Sequence, residues 1–253
     1  MEDYPGNLRR RYVACLDILG FRTALSKNNP VNLANAYMTA INISKRVRET
    51  DRLLLKDPGV RKIGQPQESV KVPVYPNIFH AAVFSDSMFV FSVDESAASL
   101  DELCEYCFLV FSEFMRQHLP LRGAIAAGEA IVYPEDSLYL GQGIVDAYLL
   151  EQSLDVIGIV LQSGLASAAA STEALVSFET KETTVTSHLT ETLMVPTHRD
   201  AMVTGESYIR TFEMLRSQAP PKLLGRYQNS IPVLAAMGKI KPESFPALTN
   251  TTT

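Results

Sequence analysis

The sequence predicts an α/β fold in which helices pack on a mixed, mainly antiparallel sheet. Short apolar runs alternate with segments of helical periodicity along the first two thirds of the chain, as strands and helices do in layered domains. Two of these runs flank a tight turn, which indicates a β-hairpin and therefore antiparallel pairing. With 253 residues, of which 46% are hydrophobic and 20% charged, the chain can bury a substantial core.

The first strand is predicted over residues 11–20, where a buried apolar run ends at a glycine. Apolar residues at three- and four-residue steps then predict a helix over 33–47, which begins after an Asn-Asn-Pro start signal. Residues 49–77 contain several prolines and glycines and have no periodicity. We therefore expect a long connection or an insertion there.

The hairpin is predicted next, with strands over 79–84 and 88–93 on either side of Ser85-Asp86-Ser87. An apolar face with helical spacing predicts a helix over 100–115 that ends before a proline. A strand rich in glycine and alanine is predicted over 121–133, where small residues allow another element to approach closely.

The rest of the chain continues the alternation and then becomes mainly helical. The remaining predicted elements are a helix over 141–151, a strand over 156–161, a helix over 167–178, a Thr-rich strand over 183–195 and helices over 206–216 and 221–237. We expect residues 1–170 to form one core domain, 171–240 a C-terminal extension packed on it, and 241–253 a disordered tail.

Charge and composition exclude several functional classes. The formal net charge of −5 and the pI near 5.5 argue against a dedicated nucleic-acid binder, which usually has a basic surface. No stretch approaches the ~18 apolar residues needed to span a bilayer, so no membrane partner is expected. The N-terminal residues lack the apolar segment of a signal peptide, and three cysteines are too few for a disulfide framework. We expect a cytoplasmic protein.

Two carboxylates lie where predicted strands end. Asp17 is near the end of the first strand, and Asp86 is in the turn of the hairpin. In a ferredoxin-like strand order the first strand lies beside this hairpin, so the two acids would converge at one edge of the sheet. Neighbouring carboxylates repel unless they share a proton or a cation, and a hard divalent cation suits them. The alternative is structural, with Asp86 as an ordinary turn residue and Asp17 as a helix cap, and spacing alone leaves both open.

Four segments, in order, resemble the catalytic domains of class III nucleotidyl cyclases. Residues 16–21, Leu-Asp-Ile-Leu-Gly-Phe, are similar to the metal-binding entry strand of that family, and 84–88, Phe-Ser-Asp-Ser-Met, to its hairpin signature. Residues 121–128 resemble the strand that follows, and 141–151 the segment leading into the next helix. The resemblance covers residues 11 to about 165 and is closest to the pyrimidine cyclases of the bacterial Pycsar antiphage systems.

This resemblance implies a fold, a site and a reaction. It implies a ferredoxin-like cyclase core, in which Asp17, Asp86 and the main-chain carbonyl of Ile18 bind two Mn²⁺ or Mg²⁺ ions. The turn whose main-chain amides would hold the triphosphate consists of Leu19, Gly20 and Phe21. It further implies a head-to-tail homodimer with shared active sites. The implied reaction converts UTP, or otherwise CTP, into the 3′,5′-cyclic monophosphate and pyrophosphate. The product would be an antiviral signal read by a separate effector.

The chain departs from the family where catalysis and base recognition are concerned. Val145 and Leu149 stand where purine cyclases have a catalytic Asn and Arg, and Leu138 and Ala82 stand at the two purine-reading positions. A site without polar base readers should discriminate purines poorly, which favours a pyrimidine substrate. Arg122 is the candidate to replace the missing catalytic Arg; the alternative is a solvated charge at the start of a strand.

Several other side chains are expected to be structural. We expect Cys104 and Cys107 to pack in the core. We expect Asp146 and Glu151 to lie on an exposed helix face; the alternative is that they approach the site of a dimer partner. The residues expected to be buried rather than to contact a base are Tyr37, His80, Tyr139 and Tyr148.

Two alternatives to a cyclase remain. The first is an inert, cyclase-like module that binds a nucleotide without reacting, which the missing Asn and Arg favour. The second is a polymerase palm or a diguanylate cyclase. The hairpin sequence at 84–88 differs from the Gly-Gly-Asp/Glu-Glu-Phe signature of diguanylate cyclases, and the acidic balance is unsuited to holding a template.

Overall fold

A mixed β-sheet forms the centre of the structure, a computed structural model that describes residues 8–27, 30–31, 33–35, 37–38, 78–165, 168, 175–177, 191–193 and 205–236. Its strands are β1 (Arg9–Ile18), β2 (Ile78–Phe84), β3 (Ser87–Ser92), β4 (Leu121–Tyr133), β5 (Leu138–Leu140), β6 (Gly158–Leu161), β7 (Leu175–Ser177) and β8 (Glu191–Leu193). Their order is β2-β3-β1-β4-β6-β8-β7, and β5 pairs with the far end of β4. The one parallel pair among these strands is β4 with β6. The predicted fold class, a mixed and mainly antiparallel sheet with helices packed on it, is confirmed.

Helices cover both faces of this sheet. They are α1 (Phe21–Lys27), α2 (Ala97–Arg116), α3 (Gln142–Gln152), α4 (Gly205–Gln218) and α5 (Pro221–Ala236). One face of β1 packs with apolar side chains of α2, α4 and α5 in the larger core cluster. The opposite face of β1 packs with α3 and with Tyr139 of β5. Among the helices in these ranges, none combines the length and the apolar character that a membrane-spanning helix requires.

Most predicted elements of the core have the observed type. β4 has the predicted bounds, and the hairpin strands and the helices α2, α3, α4 and α5 agree with the prediction to within three residues. Cys104 and Cys107 are unpaired and buried in the core, as expected. Of the helix predicted over 33–47, the described residues 33–35, 37 and 38 are helical. Its remaining residues, the proposed insertion at 49–77 and the tail at 241–253 lie outside the described part of the chain.

The helix predicted over 167–178 is wrong at residues 175–177. Leu175–Ser177 forms strand β7, which pairs antiparallel with β8. A run this short has no decisive periodicity, and pairing with a distant strand determines its conformation. β8 itself falls within the Thr-rich strand predicted over 183–195. The prediction missed β5 and α1, which have only three and seven residues.

Helix α3 lies directly on β4, because two glycines allow their backbones to touch. A Cβ atom added to Gly128 would lie 2.7 Å from the Cα atom of Gly143 and 2.8 Å from its nitrogen atom. A Cβ atom on Gly143 would lie 3.1 Å from backbone atoms of Gly128. Since the obstructing atoms are backbone, they cannot move aside by changing a rotamer. This contact fixes the separation between α3 and the sheet.

Replacing Gly128 by Ala should therefore destabilise the fold. We expect Gly128→Ala to lower the free energy of unfolding by about 1–3 kcal/mol, the usual cost of overpacking, as measured by urea denaturation. Gly225→Ala is the matched control, since Gly225 lies within α5 with nothing within 4 Å of an added Cβ. The control should be neutral or slightly stabilising, because alanine favours helix more than glycine does. Equal stability of Gly128→Ala and the unmodified chain would contradict the backbone contact.

Candidate active site

The structure brings Asp17 and Asp86 together at one end of the sheet. Asp17 is the penultimate residue of β1 and pairs with Ser87 of the neighbouring strand β3. The main-chain N–H of Ile18 donates to the carbonyl of Asp86 at 3.1 Å, and the Ser87 hydroxyl donates to Oδ1 of Asp17 at 3.3 Å. The preceding turn residue Ser85 has φ +56°, which allows the tight hairpin reversal beside Asp86. The expected convergence of strand 1 with the hairpin tip is thus present in the backbone.

Arg122 faces Asp17 from the other neighbouring strand, β4, and is buried. Its Nη2 lies 3.5 Å from Oδ2 of Asp17, and its Nη1 donates to the carbonyl of Leu154 at 3.2 Å. Its Nε pairs with the carboxylate of Glu151. The alternative of a solvated strand-end charge is therefore wrong. Arg122 is an internal cation that links β1, β4 and the end of α3.

Glu151 is a member of this site that the sequence analysis placed on the solvent side. It is 1% exposed, forms the ion pair with Arg122, and accepts a hydrogen bond from Nε2 of Gln152 at 2.7 Å. The missed signal is spacing: Gly143, Ala147 and Glu151 are four residues apart and form the buried face of α3. Asp146, by contrast, accepts a hydrogen bond from the exposed Gln142 side chain.

Burial and like charge disfavour the ionised carboxylates of this cluster. Burial raises the pKa of Asp17; the charge of Arg122 opposes this, and that of Asp86 adds to it. Burial likewise raises the pKa of Glu151 to about 7, with Arg122 again opposing and Asp17 adding. A cation bound beside carboxylates in such a position would stabilise their ionised form.

The donor set at the end of β1 fits a hard divalent cation. Two carboxylates, those of Asp17 and Asp86, are close enough that one perturbs the pKa of the other, and main-chain oxygens such as that of Ile18 are of the type that Mg²⁺ and Mn²⁺ accept. Nearby, the buried hydroxyl of Tyr37 has no hydrogen-bond partner among the described residues, and burial, then the charges of Asp86 and Asp17, raise its pKa. Within the described ranges there is no cluster of three or more His, Cys, Asp or Glu suited to a metal. Phosphate or water oxygens would therefore have to complete the coordination.

The turn expected to hold phosphates is only partly available. The N–H of Leu19 donates to the carbonyl of Pro120 at 2.8 Å, so this amide is already used within the fold. Gly20 has φ +72°, and Phe21 begins α1. A phosphate-binding role for Gly20 and Phe21 stays a prediction.

The positions that depart from the cyclase pattern lie on β2, β5 and α3. Ala82 is buried in β2, and Leu138 is exposed on β5. Between these strands, the hydroxyl of Tyr139 lies 3.0 Å from Nε2 of His80, and its ring stacks on Phe91 at 5.6 Å between centroids. His80 and Tyr139 thus contact each other and are half-buried, whereas we expected both to be buried.

Helix α3 and strand β5 also expose several large apolar side chains. These residues, which we call the α3–β5 apolar surface, are Leu138, Leu140, Val145, Tyr148 and Leu149. The expected burial of Tyr148 is therefore wrong. Val145, Tyr148 and Leu149 follow helical spacing on the side of α3 opposite to its buried face.

Because the pKa of Glu151 is raised from 4.5 to about 7, stability should depend on pH. Between these values the folded chain retains a proton that the unfolded chain has released, so the free energy of unfolding should fall as pH rises through this window. In Glu151→Gln this component should disappear, and urea denaturation across the window should give a flatter profile than the unmodified chain. Parallel profiles for the two proteins would contradict the assignment.

Comparison with known proteins supports the fold. No protein-family model matches the chain, and no curated protein matches it significantly. Among solved structures, it is similar to the catalytic core of a rhodopsin-guanylyl cyclase with converted specificity in complex with ATPαS. That structure has a TM-score of 0.50 and 10% identity, over 75% of this chain and 97% of that one.

Two further solved structures are similar at lower scores. A bacterial light-regulated adenylyl cyclase has a TM-score of 0.49 and 12% identity, over 85% of this chain and 59% of that chain. The adenylyl cyclase CyaB from P. aeruginosa has a TM-score of 0.45 and 13% identity, over 77% of this chain and 98% of that chain. On the strand order described above and the likeness to the guanylyl cyclase core, the chain has the fold of a class III nucleotide cyclase catalytic domain.

Proposed function

We propose that this chain is a nucleotidyl cyclase that converts UTP, or otherwise CTP, into the 3′,5′-cyclic monophosphate and pyrophosphate. The observation that carries the proposal is the meeting of Asp17 and Asp86 at one end of a sheet with the cyclase strand order. In the reaction, the ribose 3′-oxygen forms a bond to the α-phosphorus and the bond from that phosphorus to the β-phosphate oxygen breaks. The hydroxyl proton passes to solvent, and pyrophosphate leaves.

Some residues at the site would bind the metal ions, and others would orient the Asp17 carboxylate. Asp17, Asp86 and the main-chain oxygen of Ile18 would hold two Mg²⁺ or Mn²⁺ ions, which lower the pKa of the 3′-hydroxyl and neutralise the leaving pyrophosphate when bound. Ser87 and Arg122, on the two strands beside β1, hold the Asp17 carboxylate in place. Because the attacking oxygen and the phosphorus belong to one molecule, orienting the ribose removes much of the entropic barrier.

The choice of a pyrimidine base is supported by the lack of polar side chains at two positions. Ala82 is buried and apolar, and Leu138 offers no hydrogen bond to a purine edge. Strong discrimination for a base needs buried hydrogen-bonding partners. The assignment of the product as an antiviral signal with a separate effector rests on the resemblance to Pycsar cyclases alone. The three unpaired, buried cysteines suit the cytoplasmic location that we infer.

A homodimer with shared sites is supported by the α3–β5 apolar surface. Large exposed apolar side chains are typical of protein interfaces, and Leu149 is the most exposed of this set at 58%. A second copy of the chain is the occupant that the cyclase fold favours.

The alternative function is nucleotide binding without turnover. It is favoured by Val145 and Leu149, whose side chains can neither orient a ribose nor stabilise charge in the transition state. It is also favoured by the ion pairs that engage Arg122 within the protein. Such a module would bind a nucleoside triphosphate and release no pyrophosphate.

Cyclase activity should depend on both aspartates. Incubation with each of the four ribonucleoside triphosphates and Mn²⁺, with products identified by mass spectrometry, should yield a cyclic pyrimidine monophosphate. Asp17→Asn and Asp86→Asn should each lower turnover more than roughly 100-fold, because the divalent ions would lose a charged ligand.

Asp136→Asn, in an exposed turn, is the matched control and should retain activity. Substantial turnover by either aspartate variant would disprove the two-carboxylate mechanism. Binding without pyrophosphate release by the unmodified chain would identify the inert module instead.

The dimer should depend on the α3–β5 apolar surface. We expect the unmodified chain to be dimeric by light scattering, and Leu149→Asp to be monomeric because it places a charge among apolar contacts. Leu224→Asp changes an exposed leucine of α5 and should remain dimeric. If Leu149→Asp is also dimeric, the interface lies elsewhere.

A further inference from the structure

Helix α5 of the C-terminal region packs against the same end of the sheet as the two aspartates. Leu223, Arg226 and Ser230 lie three and four residues apart and therefore share one face of the helix. The side chain of Leu223 packs on the turn after β1, 3.1 Å from where a Cβ atom of Gly20 would be. The main-chain N–H of Ile157, just before β6, donates to the Ser230 hydroxyl at 2.7 Å. These two contacts fix α5 on either side of Arg226.

The guanidinium group of Arg226 is held only weakly. Its Nε lies 3.6 Å from Oδ1 of Asp155, and this arginine side chain is 26% exposed while that of Asp155 is more than half exposed. Ion pairs of this kind contribute little to stability, since water competes for both partners. Arg226 can therefore exchange Asp155 for another anion at small cost.

Arg226 and Arg122 both contact the loop between α3 and β6. The carbonyl of Leu154 accepts the hydrogen bond from Arg122, and Asp155, the partner of Arg226, is the next residue. Burial lowers the pKa of Arg226, and so does the charge of Arg122, whereas Asp155, Glu151 and then Asp17 act in the opposite direction. Two guanidinium groups that feel each other's charge are stabilised when an anion with several oxygens lies between them.

At this end of the sheet, the acidic side chains outnumber the basic ones. Asp17, Asp86, Glu151 and Asp155 carry four negative charges when ionised, against two positive charges on Arg122 and Arg226. A triphosphate that enters with divalent cations would find carboxylates for the cations and the weakly held guanidinium group of Arg226 for its oxygens. Helix α5 contacts both the turn after β1, through Leu223, and the loop before β6, through Ser230.

We propose that Arg226 binds phosphate oxygens of the nucleoside triphosphate at the aspartate site, so that the C-terminal helix α5 supplies a substrate-binding residue. This inference rests on the proposed function, because it takes the aspartate pair as the site of the triphosphate. It assigns to the region after β6 a direct part in substrate binding.

The test uses inorganic tripolyphosphate with Mn²⁺ as the probe, so that it requires neither turnover nor a choice of base. We expect isothermal titration calorimetry of Arg226→Gln to show affinity roughly 10- to 100-fold weaker than that of the unmodified chain, the loss typical of a charge-assisted hydrogen bond. Arg226→Lys should recover part of the affinity, because it keeps the charge but not the planar fork. Lys222→Gln, an exposed position of the same helix, is the matched control for net charge and should bind as the unmodified chain does.

Thermal unfolding should give similar midpoints for all four proteins, since the ion pair to Asp155 is weak. An affinity of Arg226→Gln within twofold of that of the unmodified chain would overturn the inference, and so would an unmodified chain that does not bind tripolyphosphate. A loss of affinity shared equally by Lys222→Gln would do so as well, because it would reflect net charge alone. If tripolyphosphate binding depends on Arg226 but no nucleotide is cyclised, the inference stands and the cyclase reaction is the part that fails.

Discussion

The ion pairs of Arg122 are the interaction on which the arrangement of the candidate site depends. A guanidinium group buried between strands must be compensated, because an unpaired charge in the interior is strongly destabilising. Arg122 obtains this compensation from Asp17 on β1, from Glu151 on α3 and from the carbonyl of Leu154. The cluster thus ties the strand that carries one candidate ligand to the helix and loop that close the same end of the sheet. As a result, the Asp17 carboxylate is held in a buried position, where desolvation raises its pKa despite the charge of Arg122.

The sequence predicted the central part of this architecture because its signals there are local. β4 could be delimited at both ends, since a proline precedes it and turn residues follow it, and the hairpin could be recognised from two apolar runs around Ser85-Asp86-Ser87. The nearness of Asp17 and Asp86 followed from the strand order alone. β5 and β7 could not be predicted, because strands of three residues have no periodicity and exist by pairing with distant partners.

The environment of the charged residues was harder to predict than their positions. Nothing local distinguishes Arg122 from a solvated arginine at the start of a strand; its burial results from Glu151, which is 29 positions later in the chain. Glu151 could have been assigned to the buried face of α3 by its spacing from Ala147. The contribution of α5 lies beyond the segments that carry the resemblance, and only the folded chain reveals that Leu223 and Ser230 bring Arg226 to this end of the sheet.

The contact between Gly128 and Gly143 also has a consequence for how this protein can evolve. Gly143 begins the buried face of α3 and Glu151 ends it, about 12 Å away at 1.5 Å per residue. A side chain at either glycine would push the first turn of α3 away from β4. Because the helix is stiff, the tilt would also displace Glu151 at its other end. Neither glycine has a side chain that could shrink to accommodate a larger partner, so no compensating substitution exists across the pair. We therefore expect both positions to remain glycine in related proteins, even in those whose surface residues differ widely.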